Sequence, residues 1–298
     1  MPDPKASSDA LLRVNGQLRA MAQEQAARIG TVQRYLMQVR ATTAEAVWRN
    51  FALNWSLWGP PNPTPVPPPE IPPALLDEFT LHGKADVIYN YLDGTYPDNW
   101  PIVYTDAQID YFLQRIARRQ YFIYGITDVW MWEAIAKYPV RNLDVVNMGS
   151  LTPWYESNCI YFGARPTTID YNRILSRTDR ITTMTVAEWD RDQPRFDAAW
   201  SISSFEHDGL GMYGDPLDPN GDLKTMQKMK RVVKPGGLLF LSLPVGKDRI
   251  LFNNHRIYGR FRLERLLEGW KTLKTFGLRP EDLEGPGHLQ PLFILKNI

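Results

Sequence analysis

From Pro139 to the end of the chain, short apolar runs that stop at glycine, aspartate or serine alternate with stretches of helical spacing. This rhythm constrains the fold more than any other feature. A strand, a helix and a second strand that repeat in this way build a mostly parallel sheet with helices on both faces. NLDVVNMG reads as the first strand, RPTTIDY as the second, RITTMTV as the third, FDAAWSISS as the fourth and GGLLFLSLPVG as the fifth. TPWYESNCIYFG reads as the first helix, with Thr152 able to cap it and Pro153 at a tolerated first-turn position. DLKTMQKMKRVV and LERLLEGW follow as helices, and WKTLKTFGL and LQPLFILKN as two further strands. The expected class is α/β with a doubly wound, mostly parallel sheet.

The residues before Pro139 read differently. Ser7, Ser8 and Asp9 can cap a helix from about Ala10, with Leu11, Val14, Leu18, Met21, Val32, Tyr35 and Val39 near one face. Gln25 and Arg28 interrupt a strict heptad, which favours packing on a partner surface over a coiled coil. Nine of the 15 residues from Gly59 to Pro73 are proline, so this piece runs extended as a stiff strap. It can join the helix to the main body or dock on a proline-binding partner. The expected organisation is a helical extension over 1–58, a proline-rich linker over 59–73, and an α/β domain over 74–298 whose core starts near 121. Leu75–Tyr138 reads as mixed, aromatic-rich helix. Asp106 can cap AQIDYFLQRIARRQ, Thr127 or Asp128 can cap VWMWEAIAKY, and Pro139 stops the latter.

Charge and composition exclude several function classes. Lys plus Arg number 34 against 33 acidic residues, so no global basic surplus attracts nucleic acid. No run approaches the ~18 apolar residues of a membrane span, and MPDPKASSDA lacks the pattern of a secretory signal. An intracellular protein, compartment open, is the expectation. The single cysteine, Cys159, cannot form an internal disulfide and reads as a buried small hydrophobe. Four histidines without HxxxH or CxxC spacing suggest no metal site.

In a doubly wound sheet the ligand lies beyond the carboxyl ends of the strands, at the point where strand order reverses. Gly149 and Ser150 end the first strand and open a helix, where glycine admits a close ligand and free amides are available. Asp170 ends the second strand, placed to accept hydrogen bonds from the ribose hydroxyls of an adenosine cofactor. Glu206 and His207 follow the fourth strand, and His255 and Arg256 the fifth. Either histidine can act as a general base near neutral pH. Glu206 can orient His207 or bind substrate, and Arg256 can hold an anionic or sugar-like group. Asp215 can pair with Arg256, touch substrate, or form a turn before Pro216. Ser203 and Ser204 lack the nucleophile-elbow pattern of hydrolases.

FDAAWSISSFEH and MKRVVKPGGLLFLSLPVG resemble the fourth strand, the next helix and the fifth strand of class I S-adenosylmethionine-dependent methyltransferases. More specifically, VVNMGSLTPWYES, SSFEHDGLGMYGDPLDPNGDL, VVKPGGLLFLSLPVGKD, FNNHRIYG and QPLFILKN are similar to a methyltransferase-like family known only as a domain of unknown function. The resemblance spans about Tyr121 to Ile298. It implies a Rossmann-like sheet of the class I methyltransferase type and S-adenosylmethionine as cofactor, with Lys234-Pro235-Gly236-Gly237 as an architectural turn. A small-molecule or sugar-containing acceptor is the expected substrate. Where such enzymes carry a GxGxG-type loop, this chain has Met148-Gly149-Ser150-Leu151-Thr152-Pro153. Two fewer glycines leave less room for the methionine moiety, and Trp154 or Tyr155 can contact the cofactor instead or belong to the core. The altered loop, the strap and the tryptophans Trp48, Trp55 and Trp58 also suit a catalytically idle assembly subunit. A nicotinamide dehydrogenase shares the fold, but GxGxxG is missing.

Overall fold

The computed structural model describes residues 67–91, 102–287 and 289–298, all within one compact unit, Pro60–Ile298. The expected amino-terminal helix, the three early tryptophans and the first half of the strap lie outside the described residues. Pro67–Pro72 carries no helix or strand, and a first helix, α1 (Pro73–Phe79), starts on the last proline of the strap. After it come β1 (Asp86–Tyr89), β2 (Ile102–Thr105), α2 (Asp106–Ala117) and α3 (Ile126–Lys137).

The lead-in is less helical than its composition suggests. β2 pairs in parallel with β5 (Ile174–Arg177), and β1 pairs in parallel with β9 (Arg249–Phe252), which β10 (His255–Ile257) flanks on its other side. The caps also differ from expectation. Thr105, not Asp106, caps α2, through a reciprocal box with Gln108. Gly125 stands at the start of α3, so Thr127 and Asp128 lie buried within its first turn.

The main sheet follows the expected rhythm. Its remaining elements are β3 (Asp144–Met148), α4 (Trp154–Tyr161), β4 (Arg165–Asp170), β6 (Thr182–Thr185), α5 (Val186–Asp192), β7 (Phe196–Ile202), α6 (Gly221–Val232), β8 (Val233–Ser242), α7 (Arg260–Leu266), β11 (Trp270–Phe276) and β12 (Leu292–Asn297). Strand order is β6-β4-β3-β7-β8-β12-β11. β3, β4, β6, β7 and β8 run in parallel, and β12 lies antiparallel to both its neighbours. Order reverses between β3 and β7, which fixes the ligand edge at their carboxyl ends.

Alternation along the strands builds two apolar layers. Leu239, Leu241, Phe293 and Leu295 pack on one face with Trp189, Met226, Met229 and Leu263 of α5, α6 and α7. Phe240, Leu292 and Ile294 pack on the other with Met131, Ile135 and Cys159 of α3 and α4. Lys234-Pro235-Gly236-Gly237 is a kink inside β8, across which the pairing with β7 slips. Gly236 holds φ at +79°. A Cβ on Gly237 would lie 2.6 Å from the Asp197 carbonyl oxygen, so the kink requires glycine there.

Candidate functional site

A cavity of about 250 Å³ opens at the carboxyl ends of β3, β4 and β7. Met148, Gly149, Ser150, Ile169 and Asp170 line one part, and Ser203, Ser204, Phe205, His207, Asp208 and Tyr213 another. Apolar side chains of α5 and α6, among them Val186, Trp189 and Met229, complete the wall.

The tips of β3 and β4 meet. Gly149 turns the chain with φ +66°, and a Cβ there would stand 2.5 Å from Ser204 Oγ and 4.0 Å from Asp170 Oδ2. The Ser150 amide donates to Asp170 Oδ2 at 3.3 Å, and the Asn172 amide to Oδ1 at 2.8 Å. Burial pushes the Asp170 carboxyl up to about 6, while those two amides pull it down. Each carboxylate oxygen keeps a second lone pair, so the side chain is fixed by the backbone and can still accept from hydroxyl groups. A glycine cradle beside an oriented carboxylate fits the ribose end of an adenosine cofactor.

Beneath the loop lies a carboxyl group that sequence reasoning missed. Glu156, on the inner side of α4, is fully buried. It accepts from Thr168 Oγ1 at 2.7 Å and from Ser150 Oγ at 3.3 Å. The Tyr104 hydroxyl donates to the Ser150 carbonyl at 3.0 Å and lies 3.5 Å from Glu156 Oε1. Burial raises Glu156 to about 7. The sequence signal was a lone acid within the largely apolar helix WYESNCIY. Trp154 and Tyr155 line the cavity, yet both are bound from behind, their ring NH and hydroxyl donating to Asp128 at 3.1 and 2.8 Å. Asp128 was expected as a helix cap and is a clamp on aromatic side chains.

The residues after β7 form the second half. Ser203 holds φ +55°, and its hydroxyl donates to Glu206 Oε1 at 2.6 Å. Glu206 is 1% exposed and does not itself line the cavity; burial raises it to about 7. His207 does line it. Its Nδ1 faces the Asn254 carbonyl at 2.7 Å and so carries a proton, while Nε2 lies 3.9 Å from Glu206 Oε1. Asp208, also in the lining, is raised to about 8 by burial. Asp215 and Asp222 raise it further, and Thr225 and Arg256 oppose the rise.

Three candidates sit elsewhere. His255 is outside the lining, 6.1 Å from His207 between ring centres, and burial lowers it to about 4. Arg256 is 1% exposed. Its guanidinium donates to the carbonyls of Asp208 at 2.5 Å and Asp218 at 3.2 Å, which fastens the loop rather than facing the cavity. Asp215 accepts from the amides of Gly209 and Gly211 at 2.6 and 3.2 Å and organises the same loop. Among the described residues no group of three or more potential metal ligands is brought together, and no helix is long and apolar enough to cross a membrane.

Residues 142–286 match a family described as "Caenorhabditis protein of unknown function, DUF268", and they carry most of the mostly parallel sheet. The match covers 145 of the 298 residues, just under half of the chain. No curated protein matches the chain. Among solved structures, the chain is similar to a Burkholderia thailandensis 1,6-didemethyltoxoflavin-N1-methyltransferase with S-adenosylhomocysteine bound, at 14% identity and a TM-score of 0.41 over 64% of this chain and 87% of that one. It is also similar to the N-methyltransferase NodS of Bradyrhizobium japonicum, at 11% identity and a TM-score of 0.40 over 58% and 97%. A Mesorhizobium loti S-adenosylmethionine-dependent methyltransferase follows at 15% identity and a TM-score of 0.36 over 56% and 97%. At such identities nothing of their chemistry is carried across to this chain.

Proposed function

We propose that this protein is an S-adenosylmethionine-dependent methyltransferase acting on a small-molecule or sugar-containing acceptor. The observation that carries the reading is the junction of Gly149, Ser150 and Asp170 in one cavity at the reversal point of the sheet. Asp170 would hold the ribose hydroxyls, and Gly149 with Ser150 would admit the cofactor against the backbone. Bound there, the cofactor would supply an electrophilic methyl group. The chain's own residues then have to hold a nucleophilic atom in line with it, which Ser203, His207, Asp208 and Tyr213 are placed to do. His207 borders the acceptor half of the cavity, its Nδ1 held by the Asn254 carbonyl. Arg256 and Asp215 hold the 208–218 loop from outside the cavity, and His255 lies beyond it as well.

A second reading keeps the fold and drops the reaction. Ile123, Leu151 and Tyr171 are each about half exposed at the cavity rim, and such a surface suits a lasting protein contact. Isothermal calorimetry with S-adenosylmethionine and S-adenosylhomocysteine separates the two. Saturable heat supports the enzyme. Silence at millimolar cofactor, with a stoichiometric partner on purification, supports the subunit.

A further inference from the structure

The polarity of the hydrogen bonds behind the cavity restricts the acceptor. Ser203 has one proton and two lone pairs. The proton goes to Glu206 Oε1 at 2.6 Å, and one lone pair receives Gln290 Nε2–H at 3.0 Å. One lone pair remains, on a residue that lines the cavity. Ser203 can therefore only accept from a ligand, and the ligand atom that meets it must carry a proton. Behind it, Glu206 is 1% exposed and its Oε2 has no hydrogen-bond partner. A buried carboxylate with an unsatisfied oxygen is costly for folding. Its connection to the cavity through one serine hydroxyl gives that cost a use.

Building on the methyltransferase reading, we propose that the acceptor is a hydroxyl compound and that Ser203 relays its proton to Glu206. The acceptor hydroxyl donates to Ser203 Oγ. As its oxygen forms the new bond to the methyl carbon, the methyl–sulfur bond breaks and its electron pair stays on sulfur. The acceptor's O–H bond breaks towards Ser203 Oγ, and the proton already on Ser203 passes to Glu206 Oε1. The products are a methyl ether, a neutral thioether and a protonated Glu206, which returns its proton to water when the site opens. One positive and one negative charge vanish together, which a site of low polarity favours. An amine needs no such path, because it attacks with its own lone pair and can lose its proton afterwards. His207 stays in place through Asn254 and contributes an orienting edge beside Tyr213.

Glu206 titrates near 7 because burial raises it and the Ser203 hydroxyl holds it down. His207 at 3.9 Å, Asp222 from α6, and Tyr258 and Arg256 from around β10 are the other ionisable groups facing this residue. Two measurements test the relay. In the first, the carboxyl infrared band of the full chain is titrated from pH 5 to 9 and assigned by its loss in Glu206→Gln. Ser203→Ala should move the midpoint upward, since a stabilising donor is gone; an unmoved midpoint overturns the relay. In the second, transfer of a tritiated methyl group from S-adenosylmethionine is followed with catechol, simple phenols and methyl glycosides as acceptors. Wild-type rates should rise with pH through about 7. E206Q and S203A should each lose on the order of a hundredfold in kcat and flatten the profile, with S-adenosylhomocysteine affinity retained. Label going only to amines, or to nothing while S-adenosylhomocysteine still binds, overturns the relay and leaves the methyltransferase reading standing. Failure of S-adenosylhomocysteine to bind defeats that reading instead.

Discussion

An alanine at position 149 would have to keep φ at +66° with its methyl group 2.5 Å from Ser204 Oγ. The left-handed conformation alone costs about 1–2 kcal/mol for a residue with a Cβ, and the contact forces the β3 and β7 tips apart. Gly149→Ala is expected to lower thermal stability by a few degrees and to weaken S-adenosylhomocysteine binding at least tenfold; calorimetry on both variants checks this. Glu156 sets a second test at this scale. Its carboxyl moves from the ordinary 4.5 to about 7 on folding, so the folded state prefers the protonated acid. The stability it contributes is full below about pH 4.5 and is lost as pH rises through 7. Glu156→Gln is expected to flatten the pH dependence of urea unfolding between pH 5 and 8. An unchanged slope would mean that Glu156 does not ionise there.

Elements of three or four residues account for most of what the sequence did not reveal. β1, β2, β5, β9 and β10 are too short for alternation to register, and the β1–β9 and β2–β5 pairs join segments far apart along the chain. Their pairing depends on tertiary packing, which local spacing does not encode. The same holds for the strap. Pro67 sits so close to Gly211 that a Cβ on the glycine would lie 2.9 Å from the proline Cβ. Tyr91 donates to the Pro67 carbonyl at 2.7 Å. Phe79 of α1 is fully buried beside Ile71, Leu210 and Phe252, and the Arg256 guanidinium lies 5.9 Å above its ring. Phe79→Ala should cost about 3–5 kcal/mol and speed amide exchange in the 208–217 loop as well as in α1. Thr105→Ala, which removes the α2 cap, should cost about 1 kcal/mol and leave that loop alone.

Across the whole molecule, the main sheet was legible because its central strands are buried on both faces and bounded by turn residues. The rule that ligands sit at the reversal point then selected Gly149, Ser150, Asp170 and His207, all of which line one cavity. The same rule could not separate Arg256 and Asp215 from them, since both lie on the right edge but are consumed by loop carbonyls and amides. The roles of Glu156 and Asp128 were not legible, because they come from burial and from hydrogen-bond partners distant in sequence. The methyltransferase reading is tested most directly by titrating the full chain with S-adenosylhomocysteine in a calorimeter, beside Asp170→Ala. One saturable site is expected, weakened by about 1–3 kcal/mol in the variant. No heat at millimolar ligand, or equal affinity in the two proteins, would contradict it.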